Sequence, residues 1–214
     1  MQIKIHQFIP SPIAETFSGS SDVWLQDSKI MNRDFITSVI SSSGKGKSSL
    51  LSAIYGLRKD YNGDIFIDEK NIKSFDLTNW SYLRKARISM VFQSLKLFPK
   101  LSAMDNVLLK NSLSNHKSLT EIEQWFDKLG MADYQNQTAG TLSFGQQQRV
   151  AIIRALCQPY TTLLLDEPFS HLDTENANIA WNIIIEESKR QQANIIIAGL
   201  SASSFFTPDT ILNL

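Results

Sequence analysis

The 214-residue chain has a single cysteine and no excess of charge of either sign. One cysteine makes no internal disulfide, which fits a reducing compartment, and Cys157 reads as a small buried helical residue rather than a reactive thiol. Lys+Arg and Asp+Glu each total 21, so no overall positive field favours nucleic acid, and no nucleic-acid partner is expected. Apolar runs of the roughly 18–20 residues that cross a bilayer are lacking. The start, Met1 to His6, alternates like a strand and has no long apolar core of a signal peptide. Repeats, low-complexity tracts and Pro/Gly-rich linkers are missing as well. Together these absences predict one compact cytosolic unit that reaches a membrane only through a partner. Hydrophobic residues make up 43% and charged residues 20%, enough to bury a core at this length.

Short apolar runs rich in β-branched residues occur at Phe35–Ile40, Ile88–Phe92, Thr161–Leu165 and Asn194–Ala198. Helical patterns separate them, which predicts an α/β chain with a mostly parallel sheet covered by helices. Residues 1–34 and 61–70 are expected to add short antiparallel strands, with Asn62-Gly63 as a hairpin turn. Ser118-Leu119-Thr120-Glu121 has the form of a capping box. Behind it Ile122, Trp125, Phe126 and Leu129 follow i, i+3, i+4, i+7 and Gly130 is a stop, so these aromatics read as core rather than a binding box. A second helix is expected from Ser143 to about Cys157. The pattern places a helical lobe at 94–157 within a core lobe made of 1–93 and 158–214. Asp209–Leu212 resembles a last core strand, and no regulatory domain is expected after it.

The first of these strands runs directly into Ser43-Gly44-Lys45-Gly46-Lys47-Ser48-Ser49, and Lys47 to Leu57 continues as a helix. Strand, glycine loop and helix form the context in which backbone N–H groups converge on a phosphate and the helix N-terminus adds its positive end. Lys47 would place its ammonium between the β- and γ-phosphates of a nucleotide, and the Ser48 hydroxyl would ligate Mg²⁺, a hard cation that prefers oxygen. The bland reading is a flexible Gly/Ser/Lys turn. Against it stands an acidic pair downstream. The strict loop pattern has glycine where this chain has Ser41, a change that strains the loop only if that position needs a positive φ.

Leu163-Leu164-Leu165-Asp166-Glu167-Pro168 is an apolar strand ending in two carboxylates. Asp166 would hold the Mg²⁺ directly or through water, and Glu167 would polarise an attacking water as general base. A charged strand end is common, so the pair gains weight from what surrounds it: Ser170-His171-Leu172-Asp173 after it, and Leu142-Ser143-Phe144-Gly145-Gln146-Gln147-Gln148-Arg149 before it.

In this order the glycine loop, the Leu142–Arg149 stretch and Asp166-Glu167 resemble the ATP-binding cassette of ABC transporters, over nearly the whole chain. The resemblance implies a P-loop NTPase (RecA-like) core with an inserted helical subdomain and a small antiparallel β subdomain. It implies ATP and Mg²⁺, a second ATP-binding cassette (homodimer or heterodimer), and a transmembrane permease subunit that holds the chain on the inner face of the cell membrane. Ser143, Phe144, Gly145 and Gln146 would cover the γ-phosphate bound by the other subunit. Asp173 would lie at the dimer seam. Gln93, after Met90-Val91-Phe92, would contact Mg²⁺ and the attacking water, and Leu97–Val107 would grip the permease. Trp80 to Asn106 looks most like the lipoprotein-release and macrolide-export group. The adenine of family members stacks on an aromatic residue of the N-terminal loop, for which Phe17 is the candidate and Phe8 the second choice.

Three positions depart from the family pattern: Ser41, Phe144 in place of a signature glycine, and Leu200 where a switch histidine is expected. The histidines present are His6, His116 and His171. Loss of one preorganised contact to the γ-phosphate costs on the order of 10²–10³ in rate, so Leu200 points to slow hydrolysis or an asymmetric dimer, while Glu167 points to hydrolysis. His171 either compensates or is a surface loop residue. A second reading is therefore a catalytically degenerate cassette that binds ATP as a structural or regulatory module. A third, a soluble family member acting on DNA or the ribosome, lacks the coiled-coil insertion or tandem cassette of such proteins.

Overall fold

The computed structural model describes residues 1–26, 29–30, 35–200 and 206–214. Parts of the expected strand region at 27–28 and 31–34, and Ser201 beyond the Asn194 strand, lie outside the described residues.

A five-stranded sheet has the order β6-β7-β8-β3-β9, from β3 (Ile36–Ile40), β6 (Ile88–Val91), β7 (Thr162–Asp166), β8 (Asn194–Gly199) and β9 (Thr210–Asn213). All its pairings are parallel. Parallel strands are buried on both faces and read as continuous apolar runs, as β7 does. Leu163 and Leu165 face one core cluster and Leu164 the other. The first cluster joins the sheet to α4 (Ala103–Asn111), α5 (Leu119–Lys128), α6 (Phe144–Leu156) and α7 (Thr174–Arg190). The second joins it to α2 (Lys47–Ile54), α3 (Leu77–Ala86) and a four-stranded antiparallel sheet, β2-β1-β4-β5. That sheet comprises β1 (Ile3–Pro10), β2 (Lys29–Ile30), β4 (Tyr61–Ile67) and β5 (Lys70–Asn71), and a short helix α1 (Ser11–Ala14) follows β1.

The local signals act as chemistry requires. Ser118 and Glu121 form a reciprocal capping box at α5, and Ile122, Trp125, Phe126 and Leu129 are buried behind it. Ser143 caps α6 in the same way, with Gln146 as its partner. Helix α2 stops short of the expected Leu57, because Gly56 takes φ +77 under the Trp80 ring and a Cβ there would collide with it.

The expected hairpin at Asn62-Gly63 is corrected: both residues lie inside β4, and the turn falls at Asp68-Glu69, both with positive φ. Gly63 answers a different need. Strand β1 bulges between His6 and Ile9, and a Cβ on Gly63 would run into the Gln7 carbonyl. Cys157 is buried, and burial pushes its thiol up, away from reactivity. Among the described residues no helix is long and apolar enough to cross a membrane.

Candidate functional site

Parallel strands of one sheet end on the same edge, and ligands of open α/β sheets bind beyond those carboxyl ends. Here β3 delivers the glycine loop there, β6 delivers Gln93, β7 delivers Asp166 and Glu167, and β8 delivers Leu200.

The loop curls through Gly44 (φ +79) and Gly46 (φ +96), and a Cβ on Gly46 would strike Ile13 of α1. Ser41 is not among the residues with positive φ, so its side chain is accommodated without backbone strain. Lys47 is 4% exposed, and its ammonium donates to the Ser41 carbonyl at 2.7 Å and the Ser42 carbonyl at 3.2 Å. It also lies 3.6 Å from Glu167 Oε1. The Ser48 hydroxyl donates to Gln93 Oε1 at 3.3 Å, and Gln93 Nε2 donates to Glu167 Oε2 at 3.3 Å. Four residues named from three separate stretches thus form one connected group.

Glu167 takes φ +48, an uncommon conformation for a residue with a side chain, and costly enough to require support. Its N–H donates to the Ala198 carbonyl at 3.0 Å, and its own carbonyl accepts from Gln148 Nε2 at 3.1 Å. Asp166 is 3% exposed and its Oδ1 has no hydrogen-bond partner. Burial holds the Asp166 carboxyl above the usual carboxylate range; the Ser48 hydroxyl acts in the opposite direction. An orphaned buried carboxylate oxygen, a serine hydroxyl and an amide oxygen make an all-oxygen set that suits Mg²⁺.

The cleft over these groups has a volume of about 320 Å³, and Ser43, Ser49, Pro12, Ile13 and Arg58 complete its walls. Lys45 is exposed on the loop and does not line it. Phe17 does not line it either: it is half-buried against the second core cluster, with its N–H bonded to the Ile13 carbonyl. Phe8 is fully buried between Trp24 and Tyr61, so its face is closed to a base. The aliphatic Ile13 lines the cleft above Gly46.

Ser143, Phe144, Gly145 and Gln146 lie outside this cleft. Ser143 Oγ accepts from the Gln146 N–H at 3.2 Å and Gln146 Oε1 from the Ser143 N–H at 2.8 Å. Gly145 is pressed against the backbone of the loop after β7, where a Cβ would approach the His171 carbonyl to 2.7 Å. Phe144 is 66% exposed, its ring 5.1 Å from that of the exposed His171. The ring therefore points outward and does not crowd the phosphate loop of its own chain. Asp173 caps α7 by accepting from the Asn176 N–H at 2.8 Å, the bond that chiefly holds its carboxyl below the usual range. Leu200 is exposed and borders a separate apolar recess of about 200 Å³ beside Glu167, Phe169 and Phe206.

The motif reading missed two side chains that organise the site. Gln148, 1% exposed, bonds the Glu167 carbonyl and accepts from the His171 N–H at 3.0 Å, tying α6 to the acidic turn. Arg154 of the same helix donates to the Leu95 and Lys96 carbonyls, each at 2.6 Å, fixing the segment after Gln93. Gln148 stands in the Leu142–Arg149 stretch, whereas Arg154 lies beyond it on the same helix.

The family model described as ABC transporter matches residues 26–170. The phosphonates import ATP-binding protein of Lactiplantibacillus plantarum is 35% identical over 175 residues, covering 76% of this chain and 67% of its own. The lipoprotein-releasing system ATP-binding protein of Saccharophagus degradans is 32% identical over 162 residues, covering 74% and 71%. Release and import systems thus stand at similar identity. Among solved structures, the dimeric MJ0796, a bacterial ABC transporter cassette, aligns with a TM-score of 0.77 at 23% identity, over 93% of this chain and 88% of that one.

Proposed function

The chain belongs to the ABC transporter family as an ATP-binding subunit, and from that premise we propose how its own residues carry out the work. It is an ATPase that acts with a second cassette and a transmembrane permease. The glycine loop and Lys47 hold the β- and γ-phosphates, and water attacks the γ-phosphorus as the bond to the β-phosphate oxygen breaks, leaving ADP and phosphate. Glu167 accepts the water's proton, and Gln93, already bonded to Glu167, orients that water. Ser48, Asp166 and Gln93 would hold Mg²⁺, which would neutralise the phosphate charge. Ser143, Gly145 and Gln146 of one cassette close over the γ-phosphate of the other, with Asp173 at the seam. The helices of 94–157 carry the closure to the permease through the segment after Gln93, which keeps the chain at the inner face of the membrane.

The observation that carries this reading is the single bonded group of Lys47, Ser48, Gln93 and Glu167, assembled from three strand ends. It supports a working hydrolase over a degenerate binding module, because Glu167, the proposed general base, lies 3.6 Å from Lys47. ATP turnover by the complex with its permease is the test, with Glu167→Gln as the comparison. The variant is expected to retain ATP and lose turnover by about 10²-fold or more, the scale of a general base. Equal rates would remove the enzymatic role.

A further inference from the structure

Arg58 belongs to none of the motifs, yet it lines the phosphate cleft. Its side chain reaches back along α2, where Nη1 donates to Ser49 Oγ at 2.7 Å. Nη2 is braced on Asp60 Oδ2 at 2.7 Å, which fixes the plane of the guanidinium. Nε is buried without a hydrogen-bond partner. A guanidinium carries five N–H donors, so the fork keeps donors to spare after both bonds. The Ser49 oxygen accepts from Arg58, which leaves the serine's own proton free to donate.

The position along the cleft identifies the recipient. Lys47 and Ser48 touch Glu167 and Gln93, the reacting end, where the γ-phosphate belongs. Ser49 touches Arg58 instead, and phosphate loops cradle the α- and β-phosphates with the backbone that enters the helix. We propose that Arg58 is a nucleotide-binding residue of this cassette, donating to the α-phosphate and presenting the Ser49 hydroxyl to the same group. The ligand class is a nucleoside di- or triphosphate, and the inference rests on the ATP-binding reading of the cleft. A planar fork fits a phosphate edge better than a point charge does. It strengthens the hold on the nucleoside side of a cleft whose lining, among the described residues, includes Ile13 and Pro12 but no aromatic ring.

The test is equilibrium binding of ATP and of the two α-phosphorothioate diastereomers of ATP to the full chain. Wild type, Arg58→Met, Arg58→Lys and Lys47→Ala are compared, with thermal denaturation confirming that each is folded. One charge-assisted contact is worth about 10- to 100-fold in affinity. Arg58→Met is expected to lose roughly that factor for ATP and to bind the two diastereomers equally, whereas wild type separates them. Arg58→Lys, which keeps charge and stem, is expected to fall between and carries the test should the methionine variant not fold. ATP binding that survives Arg58→Met or Arg58→Lys unchanged, with diastereomer preference intact, while Lys47→Ala abolishes it, would overturn the role of Arg58 alone. Binding indifferent to Lys47→Ala would overturn the reading of the cleft, and Arg58 with it.

Discussion

Ser41 stands where the phosphate-loop pattern has glycine, and the question it raises is a backbone angle that composition does not contain. Its φ is not positive, and its carbonyl accepts from Lys47 as any residue's would. Ser41→Gly is therefore expected to leave ATP affinity unchanged and to lower folding stability by about 0.4–1 kcal/mol, through the greater freedom of the unfolded chain. Calorimetric binding and thermal denaturation check both halves, and a gain of about tenfold in affinity would show that the serine does strain the loop. Lys47, Ser48 and Asp166 are singled out by their neighbours in the chain. Where the side chains of Phe17 and Phe8 pack is not written there, since it depends on where α1 lands. That landing brings Ile13 over Gly46 and buries Phe8.

Helix α6 shows how one element divides into readable and unreadable parts. Its limits were expected at Ser143 and about Cys157, and it runs from Phe144 to Leu156 with those two as caps. Capping boxes and apolar spacing are local, so they can be read off a sequence. The targets of its polar side chains are distant: Gln148 bonds residues 19 and 23 positions away, and Arg154 bonds carbonyls 58 and 59 positions away. Gln148→Leu leaves the His171 N–H and the Glu167 carbonyl without these partly buried hydrogen bonds. It is expected to cost about 1–3 kcal/mol in urea denaturation and to lower kcat more than it raises KM, because Glu167 loses a support while the loop does not. A fall confined to KM would show that α6 does not position the acidic turn. The misread Asn62-Gly63 has the same origin. The dipeptide signals a tight backbone, but only the pairing of β4 with β1 showed that it answers a bulge.

Across the molecule, the two apolar clusters lie on opposite faces of the parallel sheet, and buried charges join the elements on one of those faces. Lys117, just before α5, donates to Glu187 of α7 at 2.7 Å with both side chains almost wholly buried, and its ammonium stands 4.7 Å above the Trp125 ring. Glu187 also accepts from Arg190 Nε at 3.0 Å and Gln191 Nε2 at 2.6 Å, so it keeps partners when Lys117 is removed, and Lys117→Met is expected to destabilise by about 1–3 kcal/mol. Lys117→Met combined with Glu187→Met should recover part of that loss, measured as a double-mutant cycle by chemical denaturation. Strict additivity would mean that the two residues stabilise the fold independently.

The sequence by itself determined the chemistry: a phosphate loop, a carboxylate pair on a strand end and a signature helix, each a short run whose residue types and spacing suffice. It also determined the alternation of strands and helices, because apolar periodicity is written locally. The tertiary structure decided which of these groups meet. Gln93 reaches Ser48 across 45 positions and Glu167 across 74 because β6, β7, β8 and β3 are neighbours in a parallel sheet and end on one edge. It placed Arg58 in the cleft, turned Phe144 outward and left Ser41 unstrained. Those outcomes depend on strand order and on the direction each backbone takes at its turn, which are fixed by long-range packing rather than by any stretch of sequence read alone.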